Sequence, residues 1–375
     1  MVGGREVRCA YFRHFKGLTT NKRTRRAPCV YIARKCLLAF GMPVAQVPLH
    51  LYYPYAIAVA AKRCLGLSCE RHRSFFLMKI MRALDAGHIT GRLDITSAGK
   101  RDGVGAQAIA RISARCFAKA YGLNYVHTPF QTLAHAELPM TEWLAAWETL
   151  LGLGEGAPQA ANSELPVVDL ETYATTPALW KTDRLLAVRH YHTFCEMAPQ
   201  CLEGVARDLN AGFGSKGGEA LRDPGATLAV RLHIKRGDVR PGDAQTGHRF
   251  TANKRIMPMV EEIRATILAA GRSCRIQLYS QGTPADFIEF ERIPDLELCL
   301  GTPALDTFRE LLDADVLLMA RSDFSYTAGM YCRGIKICDP RHRVPLADWV
   351  RIDPRSGRLE AGGLRRRLDA AKACG

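Results

Sequence analysis

The feature that most constrains this chain is an alternation that begins after Gly91. Short apolar runs are separated by amphipathic stretches long enough to be helices. In the second half, strands are expected at 226–235, 275–280, 296–300 and 315–320, with helices near 253–270, 284–292, 304–313 and 325–333. Strands separated by helices of that length imply parallel sheets built from βαβ units. In the first half, 92–98 reads as a strand, then comes the loop GKRDGVGAQ, then a helix to Tyr121. Ile109, Ile112, Cys116, Phe117 and Ala120 recur there at helical spacing, and Gly122 is a natural stop. LNYVHTPF restarts as a strand and leaves His127 and Thr128 at its end. A helix bearing Trp143 and Trp147 follows, and PVVDL then leads into a long helical stretch reaching Cys201. The Gly-rich segment 210–225 is the expected linker between the halves.

The chain has 375 residues, enough to bury two cores, and its 47% hydrophobic and 24% charged residues are those of a globular protein. Its net charge of +15 is concentrated at one end. Residues 1–82 carry sixteen Lys and Arg against Glu6 and Glu70, a net of +14, which leaves +1 for the other 293. The basicity therefore belongs to an N-terminal arm and not to the body. Residues 36–61 carry no formal charge, but Pro43, Pro48, Pro54, Gln46 and His50 argue against a single-pass helix. Peripheral attachment to an anionic membrane fits the arm better. Nucleic-acid binding is the rival, although no recognised module accompanies the charge. No signal-peptide pattern opens the chain. The thirteen cysteines form no CxxC pair, and Cys64 and Cys69 lack partners at zinc-finger spacing, so neither a disulfide framework nor a metal site is expected.

Three constellations carry chemistry. In GKRDGVGAQ, Gly103 and Gly105 lie between a strand and a helix, where backbone N–H groups and the helix dipole receive an anion. A tight turn that needs glycine for its geometry is the plainer alternative. In VRLHIKRGD, Lys235 and Arg236 offer donors for a diphosphate, and His233 shares a strand face with Lys235. Asp238, beyond Gly237, is a candidate base or a group that orients the cations. In ARSDFSYTAG, Ser322 and Ser325 cap a helix whose N-terminus attracts phosphate, and Phe324 offers a ring to a base. Asp306 stands at a helix start, where capping is its ordinary role and hydrogen bonding to a guanine edge the alternative. The letters DAD at 313–315 read as a helix end entering a buried strand, not as a metal pair.

Together these residues resemble the GT-B fucosyltransferase superfamily, which includes α1,2- and α1,6-fucosyltransferases and protein O-fucosyltransferases. His233, Arg236, Gly237 and Asp238 match its middle motif, and Ser322, Phe324 and Ser325 match its late Ser-x-Phe-Ser motif. LYSQG (278–282) is similar to the strand end the family places between them, and the likeness spans about residues 92–350. Two departures stand out. Lys235 replaces the arginine that grips the donor β-phosphate in the family, and Ala106 precedes Gln107 where relatives often have asparagine.

The resemblance implies an α/β protein of GT-B type, with two Rossmann-like α/β/α lobes and an interlobe cleft. Its parts would be a basic segment (1–90), an acceptor lobe (91–215), a nucleotide-sugar lobe (226–350) and a helical tail (351–375). It implies inverting transfer of fucose from GDP-fucose to a glycan, with no metal. Lys235, Arg236, Asp238 and Asp102 would be catalytic, and His233, Gly237, Asp306, Ser322, Phe324, Ser325, Gly103, Gly105 and Gln107 would bind the donor. Either Asp238 or Asp102 would be the base. The expected partners are a nucleotide-sugar donor, a glycan acceptor and an anionic membrane at its cytoplasmic face, without nucleic acid. A non-catalytic nucleotide-sugar or glycan-binding protein on the same fold is the alternative.

Overall fold

The computed structural model describes residues 70–191, 194–195, 198–212, 218–223, 225–244 and 246–373. The charged arm 1–69, with its uncharged run 36–61 and Cys64 and Cys69, lies outside them. Among the described residues no helix is long and apolar enough to cross a membrane.

Two parallel sheets form, as the alternation requires. The first contains β1 (Leu93–Thr96), β2 (Asn124–Tyr125), β3 (Val167–Asp169) and β4 (Arg184–Ala187), in the order β2-β1-β4-β3. The helices α1 (Glu70–Asp85), α2 (Val104–Tyr121), α3 (Met140–Leu151), α4 (Leu170–Thr175) and α5 (Pro199–Gly212) accompany it. Although α1 lies within the stretch assigned to the basic segment, its Leu77, Ile80 and Met81 are buried in the core of the first lobe. The expected long helix reaching Cys201 is not there. α4 ends at Thr175, and β4 occupies the middle of that stretch, paired on one side with β1 and on the other with β3. Its residues, RLLA, include no β-branched side chain. Parallel hydrogen bonding on both edges and burial of Leu185 and Leu186 override that local preference. The expected linker begins one turn late, because α5 continues to Gly212.

The second sheet is built from β5 (Leu228–Ile234), β6 (Cys274–Ser280), β7 (Leu296–Leu300), β8 (Val316–Leu318), β9 (Ile335–Cys338) and β10 (Val350–Arg351). Its order is β10-β9-β8-β5-β6-β7, all parallel. Counted from its own first strand this is 6-5-4-1-2-3, the doubly wound order that binds nucleotides, with the reversal between β5 and β8. α6 (Asn253–Ala269) and α9 (Gly363–Ala373) cover one face, together with a 3-10 stretch, Pro284–Arg292, in place of the α-helix expected there. α7 (Ala304–Leu312) and α8 (Asp323–Tyr331) cover the other.

β5 alternates strictly. Leu228, Val230, Leu232 and Ile234 point into the core shared with α6, while Arg231 bonds the Glu310 carbonyl on α7 and His233 meets Phe324 on α8. The lobes do not merely abut. α8 packs on both α2 and α5, and a single apolar core runs from α2, α3 and α5 through α7 and α8 to Leu317 and Met319. Loop contacts reinforce it. The Glu137 carboxylate of the first lobe accepts the Ala304 N–H at the start of α7 at 2.7 Å, and the Thr327 hydroxyl donates to the Gly105 carbonyl at 3.2 Å.

Candidate active site

In a doubly wound sheet, ligands sit outside the carboxyl ends of the strands where their order reverses. Here that is the crevice between the ends of β5 and β8. It is lined by His233, Lys235, Arg236, Arg249, Arg321 and Asp339, among others. Its floor leaves about 30 Å³, room for a water or two and not for a nucleoside.

The two adjacent cations stand just beyond the end of β5 and have different partners. The Lys235 ammonium pairs with Asp238 at 2.5 Å. Arg236 turns toward α6. Its guanidinium lies 4.4 Å over the Phe250 ring and donates to the carbonyls of Lys235 and Thr251 and to Asn253 Oδ1 at 2.7 Å. Gly237 then reverses the chain at φ +77, and a Cβ there would stand 2.0 Å from Gln281 Oε1. The positive φ is what favours glycine here, since the Gln281 amide is the end of a flexible side chain that can swing away.

Burial alone would raise the Asp238 carboxyl, but the Lys235 hydrogen bond and charge, with Arg249, hold it below the ordinary value. Such a carboxylate is a weak base. His233 is half-buried, its Nδ1 shut away from solvent without a hydrogen-bond partner. Burial, then Lys235 and Arg249, push its pKa down to about 3. The imidazole is therefore neutral at physiological pH, its ring tilted by 45° and 5.3 Å from that of Phe324.

The late motif supplies the other wall. Ser322 caps α8, its hydroxyl accepting the Phe324 N–H at 3.3 Å, and Ser325 donates to the carbonyls of Ala320 and Ser322. Both serines are buried. Phe324 is wedged among His233, Trp147 and Phe308 and is only partly buried. Asp323, between the two motif residues, is fixed by His342 at 3.0 Å and by two bonds from Arg343. Burial opposes its charge, but those partners hold its carboxyl far below the carboxylate range.

The front loop is placed differently. A Cβ on Gly105 would stand 2.4 Å from the backbone of Asp323 and Phe324, so this glycine admits a helix and not a ligand. Gln107 is buried, and its amide donates to the carbonyls of Asp102 and Thr132. It holds the loop. Gly103 has open space around it. The Asp102 carboxylate is half-exposed and pairs with Lys100 at 3.0 Å. Asp306 is exposed and pairs with Arg309, away from any contact with the cations of the crevice. The structure thus brings together His233, Lys235, Asp238, Phe324 and the capped start of α8, and it assigns Gly105 and Gln107 to packing.

Three charged residues of the crevice escaped the sequence reading. Arg321 bonds Asp339 at 2.9 Å and the His248 carbonyl at 3.0 Å. Asp339, at the end of β9, also binds Arg341. Burial opposes its ionisation, yet Arg341 and Arg321 hold its pKa near 2. Arg249 comes from a 3-10 turn, Gly247–Arg249. Arg249 and Arg321 flank recognised stretches, but no spacing rule singles them out. Asp315, the buried acid of the DAD letters, accepts the N–H groups of Gly218 and Ala229 and ties the linker to the sheet. Among the described residues no three His, Cys, Asp or Glu side chains are grouped to hold a metal ion.

No protein-family model matches the chain, and no curated protein matches it. Solved structures similar to it include the fucosyltransferase NodZ from Bradyrhizobium, at 12% identity and TM-score 0.38, covering 65% of this chain and 93% of that one. POFUT1 in complex with GDP matches at 11% and 0.35, covering 69% and 97%. The E. coli heptosyltransferase WaaC with ADP matches at 12% and 0.34, covering 76% and 98%. At such identities and scores these likenesses fix neither donor nor acceptor for this chain.

Proposed function

We propose that the chain is an inverting glycosyltransferase of GT-B type that takes its donor, GDP-fucose, at the ends of β5 and β8. The observation that carries this reading is the convergence of Lys235, Arg249 and Arg321 with the capped start of α8 at the strand-order reversal. Fixed positive charge at that place suits a diphosphate leaving group. As the sugar–oxygen bond breaks, charge grows on the β-phosphate, and cations held there stabilise the transition state more than the ground state. The neutral His233 and the Phe324 ring form an apolar wall with a buried nitrogen, suited to a base outside the crevice floor. The donor complex would need no metal, the cations taking that place.

Of the two candidate bases, Asp102 is favoured. Both carboxylates pair with a lysine, Asp238 with Lys235 and Asp102 with Lys100, but Asp238 is also held below its ordinary pKa by Lys235 and Arg249, whereas Asp102 sits on a first-lobe loop three residues before the glycine that touches Asp323. The acceptor would be a glycan approaching from that lobe. The basic arm would bring the protein to anionic lipid on the cytoplasmic face of a membrane. The Lys235–Asp238 pair also favours a second reading, a donor-binding protein without transfer.

Purified protein in EDTA, assayed against a nucleotide-sugar panel with melting curves in GDP and UDP, tests this. GDP at about a hundred times its dissociation constant should add roughly 2.7 kcal/mol of stability. Fucose transfer, or slow donor hydrolysis, should accompany it. Stabilisation by UDP with manganese and none by GDP would overturn the donor assignment, and binding without turnover would favour the second reading.

A further inference from the structure

Four cations line the crevice, and three are already engaged. Lys235 is neutralised by Asp238, Arg321 by Asp339, and the terminal nitrogens of Arg236 are taken by carbonyl oxygens. Arg249 differs. Its Nε faces the Arg321 carbonyl at 3.5 Å, while among the described residues its two terminal nitrogens make no hydrogen bond or ion pair. The turn that carries it is held on both sides. The His248 carbonyl accepts from Arg321, and the Phe250 ring lies beneath Arg236. The side chain is half-buried, so its charge is only partly screened by water. A guanidinium whose terminal nitrogens are unbonded, on a pinned turn, and whose neighbouring carboxylate Asp238 is already paired with Lys235, is built to receive an anion with two oxygens.

We propose that Arg249, and not Lys235, is the residue that grips the donor diphosphate at two points. The Lys235–Asp238 pair then acts as a positioning group that sets the chain reversal at Gly237. This rests on the donor reading above and deepens it. Lysine at the strand end removes the guanidinium fork from that position, and a loop arginine supplies it from the other side of the crevice.

The test measures binding of GDP, guanosine and inorganic pyrophosphate to the full chain and to Arg249→Ala, Arg249→Lys and Lys235→Ala, with unliganded melting curves for each. Arg249→Ala should lose about ten- to a hundredfold in affinity for GDP and pyrophosphate, with guanosine unmoved. A merely structural role would weaken all three ligands together. Arg249→Lys should recover only part of the loss, and Lys235→Ala should lose less than Arg249→Ala. If Arg249→Ala does not fold, Arg249→Lys decides, since parental affinity for GDP would overturn the two-point grip. Parental GDP binding by Arg249→Ala, or a larger loss in Lys235→Ala, overturns the proposal and leaves the donor site standing. Failure of the parent to bind either GDP or pyrophosphate removes both.

Discussion

Two glycine-bearing loops precede helices or reversals in this molecule, and both read in sequence as anion cradles. At 103–105 in the first lobe, the loop delivers α2 into close contact with α8, and Gly105 leaves no room even for a methyl group. At 235–238 in the second, Gly237 turns the chain so that a strand end opens into the crevice at the reversal of strand order. The local chemistry is similar. What differs is the neighbour: a packed helix end in one case, a crevice beyond the ends of two paired strands in the other. Glycine before a helix records that something comes close to the backbone, and only the tertiary packing says whether that is a ligand or the rest of the protein.

The sharpest way to break this contrast is Gly105→Ala. The methyl would meet backbone atoms of Asp323 and Phe324 that cannot swing aside, so the expected loss is about 3 kcal/mol, at the upper end for overpacking. Chemical denaturation measures it. A variant as stable as the parent would mean that the front loop is not clamped against α8.

Asp339→Asn tests the other side, since it leaves Arg321 and Arg341 without their shared carboxylate. The expected destabilisation at neutral pH is about 2 kcal/mol, less than for a fully buried pair because Arg341 is about a third exposed. The pH dependence has a definite sign. The folded carboxyl titrates near 2 against an ordinary 3.8, so its contribution is present above about pH 4 and lost as the pH falls through 2. The gap between parent and variant should therefore close on acidification. A gap of constant size down to pH 2 would assign the effect to something other than the charge.

The smallest effect belongs to Gly103→Ala. This glycine has open space and an ordinary φ of −66, so stability should change by no more than about 0.5 kcal/mol. A loss as large as that of Gly105→Ala would dissolve the distinction between the two positions.

Much of this organisation was legible in the residues. β-branched and leucine-rich alternation located β5, β6, β7 and β8 to within a residue or two, because apolar alternation along a strand leaves a strong local imprint. The period of two set Arg231 and His233 on the face opposite Val230, Leu232 and Ile234, since that geometry needs no distant partner. Ser322 was readable as a cap for the same reason: the hydrogen bond spans two residues. β4 was not legible, because RLLA becomes a strand only when β1 and β3 hydrogen-bond its two edges. Nor was the role of Gly105, Arg249 or Asp339. Each is defined by a contact or an empty place made by segments about seventy or more residues away, or by neighbours drawn together across strands. Sequence alone determined the elements and the facing of side chains along them, since those follow from short-range sterics and periodicity. Which glycine touches protein, and which guanidinium keeps its terminal nitrogens unbonded at the end of a sheet, was decided only by the tertiary structure, because side-chain pairing and close approach are properties of what the folded chain brings together.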